Sequence, residues 1–203
     1  MMEGPAGLQE LDPETPRLRR PLVLVGLMGA GKTSVGKRLA ALLGVGFVDS
    51  DVEIERAAGM TIPEIFAKLG EPAFRDGERR VIARLLTERP GVLATGGGAF
   101  GDARTRAAVA ERGTSVWLRA DLDLLWDRVR DKPGRPLLQA ADPKAVLADL
   151  LTRRYPVYGL ADVTVDSRRG ATHEWMARDI LRAVRERDAA RPGHAPTFEE
   201  RGA

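Results

Sequence analysis

The chain has 203 residues, a length that suits one α/β domain with a single catalytic core. Its 32 basic and 29 acidic residues give a formal charge of +3, and because the two signs are interspersed we expect no nucleic-acid partner. The absence of cysteine excludes disulfides and thiolate metal sites and is consistent with a reducing cytoplasm. The two histidines are too few for a histidine-rich zinc site.

Both ends of the chain have the composition of tails. Residues 1–20 carry prolines among charged residues and lack the apolar run of a secretory signal, and residues 188–203 contain further Pro and Gly. We expect both to be disordered, on either side of a folded domain at 21–187. No segment has the apolar length that spans a bilayer, so we expect no membrane partner and a cytoplasmic location.

Short apolar runs alternate with helical patterns along the folded part. Strands are predicted at 22–25, 47–49, 92–94, 115–118 and 163–165. Helices are predicted at 32–43 and 71–88, and from Asp121 as an N-cap to about Arg130. This alternation predicts a parallel sheet covered on both faces, with ligands bound beyond the carboxyl ends of the strands.

The first strand is followed by GLMGAGKT at 26–33, which matches the phosphate-loop pattern G-x-x-x-x-G-K-[ST] between a strand and a helix. The glycines let backbone N–H groups turn toward an anion, and the helix N-terminus adds a positive dipole end. Lys32 suits the β- and γ-phosphates of ATP, and the Thr33 hydroxyl suits Mg²⁺. The alternative is a glycine-rich turn without ligand. The predicted nucleotide-binding residues here are Gly29, Ala30, Gly31, Lys32, Thr33 and Ser34.

Asp49 and Asp51 flank Ser50 at the end of the second predicted strand. In an extended backbone both carboxylates would point to one side. Asp49 suits a magnesium ion, directly or through water, and Asp51 suits an acceptor hydroxyl whose proton it would receive. The alternative is an N-cap for the next helix, filled by Asp51 or Ser50.

Three consecutive glycines, residues 96–98, follow the third predicted strand. Their cost in backbone entropy indicates a close approach of backbone to ligand, although a flexible loop is the competing interpretation. Arg75 lies near the start of a predicted helix, where an arginine opposes the helix dipole. This unfavourable position suggests a functional role, and the alternative is an ordinary surface arginine.

Two further arginines lie in segments rich in proline. Arg135, in DKPGRPLL, is predicted to lie on a lid that closes over the nucleotide and adds a cation to the transferring phosphoryl group. Arg154, in RRYPVY, precedes Pro156, which we expect to end a helix, so that Arg153 or Arg154 would complement the helix C-terminus. Considered alone, each arginine is more typical of a solvated surface position than of a binding site.

In this order, GLMGAGKTSVGKRLA, DSD, FRDGE, TGGG, GRPLL and R-x-P-x-Y resemble shikimate kinase over about 21–187. The resemblance implies a P-loop kinase of the nucleoside-monophosphate-kinase type. Its fold would be a five-stranded parallel sheet in the order 2-3-1-4-5 with flanking helices, a lid and a substrate-binding helical region. The implied reaction is phosphorylation of the 3-hydroxyl of shikimate by ATP with Mg²⁺, toward chorismate and the aromatic amino acids, in a monomer.

The resemblance also implies residue roles. Asp51 would bind ring hydroxyls, while Arg75, Arg154 and the backbone N–H of Gly97 would receive the shikimate carboxylate and a neighbouring hydroxyl. Lys32, Asp51 and Arg135 would be catalytic.

On the nucleotide side, the resemblance implies that Arg128 lies beside the adenine, together with Arg168 or Arg169. Two rival functions stay open at this point. One is a kinase for another small hydroxy acid such as gluconate, and the other is a nucleotide-binding switch without transfer activity.

Overall fold

A five-stranded parallel sheet forms the centre of the computed structural model, which describes residues 16–88, 90–131 and 141–199. The strands in chain order are β1 (Arg17–Leu18), β2 (Leu22–Val25), β3 (Phe47–Asp49), β4 (Val92–Ala94), β5 (Thr114–Arg119), β6 (Val163–Asp166) and β7 (Phe198–Glu199). The order across the large sheet is β3-β4-β2-β5-β6, with parallel pairing throughout. Counted within this sheet alone, that is the predicted order 2-3-1-4-5, which is confirmed.

The helices are α1 (Lys32–Leu43), α2 (Ser50–Ala58), α3 (Ile62–Leu85), α4 (Ala103–Arg112), α5 (Leu122–Val129), α6 (Pro143–Tyr158) and α7 (His173–Ala189). Helix α1 packs on α7 and on β4, while α4 packs on α3 and β5. Every residue of β2 and β4 is buried, which explains why these short strands read as continuous apolar runs rather than alternating ones. No helix within the described ranges combines the length and apolarity needed to cross a membrane.

Helix α3 begins earlier than the predicted residue 71. Thr61 and Glu64 form a capping box that starts the helix at Ile62, and Gly70, with φ 79° and ψ 170°, breaks it before Pro72. The predicted helix therefore corresponds to the part after Gly70, because a left-handed glycine followed by proline is a strong local boundary signal.

Helix α6 contradicts the expectation that Pro156 ends it. The helix continues through Pro156 to Tyr158, and the N–H groups of Gly159, Leu160 and Ala161 cap its last carbonyls. Near a helix end, proline removes one hydrogen bond and leaves the rest of the last turn intact. Arg154 therefore lies within the helix and not at its terminus.

The described parts of the two expected tails contain regular secondary structure, contrary to the expectation that they are disordered. β1 pairs with β7 in a two-stranded antiparallel sheet, and α7 reaches Ala189. Leu18 and Phe198 are buried there, because pairing across the length of the chain lets two isolated apolar residues reach one core. Residues 1–15 and 200–203 lie outside the described residues.

Candidate active site

The phosphate loop joins β2 to α1 through backbone that requires glycine. Gly26, Gly29 and Gly31 have φ values of 143°, 81° and 96°. A Cβ atom on Gly26 would lie 2.8 Å from the Leu118 carbonyl oxygen, and one on Gly29 would lie 2.7 Å from Val129. The backbone conformation therefore favours glycine at all three positions, space also excludes a side chain at the first two, and the loop can wrap closely around an anion.

Lys32 begins α1 and folds back over the loop. Its Nζ donates to the carbonyl oxygens of Gly26 and Leu27, at 2.8 and 3.1 Å. These bonds hold the ammonium group over the loop, beside the N-terminus of the helix. A compact positive charge in this position suits phosphate oxygens.

The loop opens into a cavity of about 740 Å³. Thr95, Met176 and several predicted site residues line it together. The predicted residues in the lining are Gly29, Ala30, Gly31, Lys32, Thr33, Ser34, Asp49, Asp51, Gly97, Arg128 and Arg154. The structure thus brings residues from both halves of the chain to the carboxyl ends of the strands, as expected for a parallel sheet.

Asp49 connects the second strand of the sheet to the phosphate loop. Its Oδ2 accepts from the Thr33 hydroxyl at 2.9 Å, and its Oδ1 accepts from the Asp51 N–H at 3.1 Å. The N-cap of α2 is therefore Asp49, not Asp51 or Ser50. Asp51 lies in the first helical turn because β3 ends at Asp49, so the extended geometry that we expected for this pair is wrong, although both carboxylates still line the cavity.

The carboxyl group of Asp51 has a pKa above the ordinary value for aspartate. Burial raises its pKa from 3.8 to about 6, and the negative charges of Asp49 and Glu78 add to this effect while Lys32 opposes it. A carboxylate that binds a proton more readily than usual, facing a cavity, is suited to accept one from a hydroxyl group.

Arg75 is held by two glutamates on its own helix. Its Nη1 donates to Glu78 at 2.7 Å, and its Nε and Nη2 donate to Glu71 at 3.3 Å. Glu78 is only 3% exposed, and burial raises its pKa although the Arg75 hydrogen bond lowers it. Sequence reasoning missed Glu78. Its position in FRDGE, three residues after Arg75 on the same helix face, was the available signal.

The glycine run 96–98 lies against the side chains of the predicted acceptor site. A Cβ on Gly96 would lie 2.6 Å from Asp51 Oδ1, and one on Gly98 would lie 2.6 Å from Arg75 Nη1. The Nη1 of Arg154 donates to the carbonyl oxygen of Gly97 at 3.0 Å. Asp51 and Arg75 therefore occupy the space that a side chain would need at Gly96 and at Gly98, whereas a Cβ on Gly97 would meet Arg154 at an ordinary contact distance of 3.4 Å.

The other end of the cavity is bounded by α5 and by the segment before α7. Arg128 donates to the Gly29 carbonyl oxygen at 3.2 Å and to the Ser167 hydroxyl at 2.9 Å, and burial lowers its pKa. Ser167, Ala171 and His173 line the cavity and were not predicted from the sequence. Short polar and small residues between a strand and a helix carry little signal on their own.

Neither candidate for a second arginine beside the adenine lines the cavity. Arg168 lies 5.4 Å from the ring of Trp175, and Arg169 pairs with Asp127 at 2.6 Å. Both residues are exposed and make these contacts outside the cavity lining. Arg135 and the predicted lid lie outside the described residues.

A model of the family described as shikimate kinase matches residues 28–185. The match begins within the phosphate loop and includes the glycine run and the helix that carries Arg154. The chain belongs to the shikimate kinase family. The resemblance inferred from the ordered motifs is confirmed, and so is the P-loop kinase fold.

Individual shikimate kinases are also similar to this chain in sequence and in structure. The shikimate kinase of Caulobacter vibrioides is 56% identical over 179 residues, which are 88% of this chain and 88% of that protein. That of Novosphingobium aromaticivorans is 54% identical over 192 residues, covering 90% of this chain and 98% of the relative. The solved structure of shikimate kinase from Acinetobacter baumannii in complex with shikimate has a TM-score of 0.77 at 44% identity, covering 82% of this chain and 93% of that chain.

A more distant likeness concerns the rival function. A gluconokinase structure from Sinorhizobium meliloti has a TM-score of 0.58 at 19% identity, covering 84% of this chain and 94% of that chain. At this identity the likeness shows a shared fold alone. The shikimate kinase family is therefore favoured over a gluconate-specific kinase.

Proposed function

We propose that this chain transfers the γ-phosphoryl group of ATP to the 3-hydroxyl of shikimate, giving shikimate 3-phosphate and ADP on the route to chorismate and the aromatic amino acids. The observation that carries the proposal is that one cavity is lined by the phosphate loop, Asp51 and Arg154. Donor and acceptor sites that share a cavity allow direct transfer. Family membership supports the same reaction and the use of ATP as co-substrate.

On the donor side, the loop amides and Lys32 bind the phosphates. Lys32 is already anchored by the Gly26 and Leu27 carbonyls, so its charge needs little reorganisation when phosphate binds. The side chain then stabilises negative charge on the β- and γ-phosphate oxygens as the phosphoryl group moves. We assign the base and ribose to the end of the cavity between Arg128 and His173.

Thr33 and Asp49 fit a magnesium ion. Their oxygen atoms lie 2.9 Å apart beside the phosphate loop, and Mg²⁺ prefers a few hard oxygen ligands together with phosphates and water. When bound there, the ion would neutralise charge on the phosphate oxygens.

On the acceptor side, the arginines bind the carboxylate of shikimate. Arg154 and Arg75 reach the glycine run from different helices, and guanidinium groups bind carboxylates with two parallel hydrogen bonds. Glu78 orients Arg75, and the backbone N–H of Gly97 adds a donor. Fixing the carboxylate leaves the ring hydroxyls directed toward Asp51 and the phosphate loop.

Asp51 receives the proton of the attacking hydroxyl. With a pKa of about 6 it is ionised at neutral pH and accepts a proton more readily than an ordinary aspartate. The O–H bond breaks as the oxygen attacks phosphorus, and ADP leaves on the opposite side. Catalysis rests on positioning and electrostatic stabilisation. Arg135 is assigned to the lid that adds a cation to this charge.

An acceptor panel tests this proposal. Purified protein with ATP and Mg²⁺ should release ADP with shikimate and much more slowly with gluconate or with no acceptor. Release with gluconate alone would favour the rival small-acid kinase. Tight nucleotide binding without transfer to any acceptor would favour the inactive switch. Monomeric state, cytoplasmic location and lack of a nucleic-acid partner stay predictions.

A further inference from the structure

Tyr158 ends α6 with its ring buried and its hydroxyl directed at the glycine run. The side chain is 1% exposed, and its hydroxyl donates to the carbonyl oxygen of Gly97. The same oxygen accepts from Arg154 Nη1 at 3.0 Å. A carbonyl oxygen has two lone pairs, so these two side chains together satisfy it.

Two further aromatic rings fix the position of the Tyr158 ring. Trp117 on β5 lies 6.0 Å from it and Tyr155 lies 6.2 Å from it, and Trp117 and Tyr155 meet edge to face at 4.8 Å. Burial raises the pKa of Tyr158, so its hydroxyl keeps its proton at neutral pH and remains a donor. The central sheet thereby sets where this donor stands.

The continuation of α6 past Pro156 places both donors on one helix face. Tyr158 follows Arg154 by four residues, the spacing that aligns side chains along a helix. Had the helix ended at the proline, Tyr158 would not lie one turn beyond Arg154. The unexpected last turn of α6 therefore has a consequence for the cavity.

We propose that Tyr158 is a positioning residue of the acceptor site, which holds the Gly97 carbonyl so that the glycine run and Arg154 meet the substrate carboxylate in a fixed arrangement. The inference rests on the proposed function. Ser50 and the N–H groups of Ala99 and Gly101 bind the glycines on either side, whereas the Gly97 carbonyl accepts from Arg154 and Tyr158, so these two side chains fix the central peptide of a run that has no side chains of its own. Arg154 has to share its N–H groups between Gly97 and the substrate, whereas the Tyr158 hydroxyl donates its one proton to Gly97 and its oxygen also interacts with Arg154, so it helps to hold both.

The test is Tyr158→Phe, which removes the hydroxyl and keeps the ring. The variant should fold, because Arg154 still satisfies the Gly97 carbonyl. We expect the KM for shikimate to rise roughly fivefold to tenfold, as for the loss of one ordering hydrogen bond, while the KM for ATP changes less than about twofold.

The matched control is Tyr155→Phe. It removes a hydroxyl from the same aromatic cluster, one that donates to the Ala120 carbonyl oxygen and not to the glycine run. We expect it to lower the melting temperature to a similar degree without changing the KM for shikimate. Amide hydrogen exchange at 96–98 should accelerate in Tyr158→Phe and not in Tyr155→Phe.

The outcomes separate the two proposals. If the wild-type protein phosphorylates shikimate, and Tyr158→Phe has the wild-type KM for shikimate and the wild-type amide exchange at 96–98, the positioning role alone is overturned. Equal rises of KM in both variants would overturn it too, since a general loss of stability would then explain them. Failure of the wild-type protein to phosphorylate shikimate would overturn the proposed function, and the role of Tyr158 with it.

Discussion

Arg154 and Arg153 are neighbours in sequence with different surroundings. Arg154 is half-buried against Gly97, whereas Arg153 is exposed and pairs with Asp149 on the surface. We expect Arg154→Ala to reduce kcat/KM for shikimate by an amount equivalent to roughly 2 to 5 kcal/mol, because it leaves the substrate carboxylate without a desolvated partner. Arg153→Ala should have little effect, since exposed ion pairs contribute little. Steady-state kinetics of both variants decide this, and equal losses would contradict the assignment.

The buried charge of Asp51 serves the proposed reaction but lowers the stability of the fold. Its pKa is raised to about 6 in the folded chain against 3.8 ordinarily, so between these pH values the unfolded chain loses the proton first and the free energy of unfolding falls as pH rises. Asp51→Asn, which has no charge to bury, should therefore be more stable at pH 8 by on the order of 1 to 3 kcal/mol, and inactive.

Urea unfolding without nucleotide or Mg²⁺ measures this difference. The gain in stability should shrink as the pH falls from 6 toward 4 and disappear below the ordinary pKa of 3.8, where the wild-type carboxyl is protonated in both states. A variant no more stable than wild type at pH 8 would show that the buried charge carries no such penalty.

How far single residues could be predicted depended on local signals. Lys32 and Thr33 follow from a motif between a strand and a helix, and Asp49 follows from its position at a strand end. Glu78 did not follow, because a glutamate on a helix is usually solvated and only packing against Arg75 and Gly96 buries it. Burial is a property of the assembled fold.

Among the elements, the glycine run depends on absent side chains. A methyl group on Gly96 would meet Asp51 Oδ1 at 2.6 Å and Glu78 Oε1 at 3.0 Å. We expect Gly96→Ala to displace the carboxylates and raise the KM for shikimate by roughly tenfold or more, with a much smaller effect on ATP. Gly101→Ala is the control, because no heavy atom lies within 4 Å of its added Cβ. The same KM for shikimate in both variants would contradict this explanation of the run.

Element boundaries were predictable where the local code is strong. α1 begins and ends at the predicted residues because glycines flank it at Gly31 and Gly44. The start of α3 was not predicted, although Thr61 and Glu64 have the spacing of a capping box. The apolar residues around the break at Gly70 are irregularly spaced, which obscured the first part of the helix. Pro156 misled because local chemistry favours a helix end, whereas packing of Tyr158 retains one more turn.

At the scale of the whole molecule, the two ends of the described chain meet beside the sheet. The Thr197 hydroxyl lies 2.7 Å from that of Thr114, and its N–H donates to Asp188 at 2.7 Å. Phe198 is 6% exposed and Leu18 is 5% exposed. No sequence pattern predicts this pairing, because the partners are far apart along the chain and each strand is two residues long.

This pairing predicts a stability effect without a kinetic one. Phe198→Ala should lower the free energy of unfolding by about 3 kcal/mol, which corresponds to roughly 6 to 12 °C in melting temperature. The KM values at 25 °C should not change, since the pair lies away from the cavity lining. Glu199→Gln, which removes only the exposed contact with Arg19, should leave the melting temperature nearly unchanged. An unchanged melting temperature in Phe198→Ala would show that the β1–β7 pair contributes nothing to stability.

The proposed reaction depends on direct transfer between two sites in one cavity. Phosphorus NMR of the reaction of wild-type protein with ATP, Mg²⁺ and shikimate tests it most directly, since coupling to ring protons locates the new phosphate. Direct transfer should give one phosphate ester on the 3-hydroxyl, formed in proportion to ADP. Inorganic phosphate in place of an ester, or an ester on another hydroxyl, would contradict it.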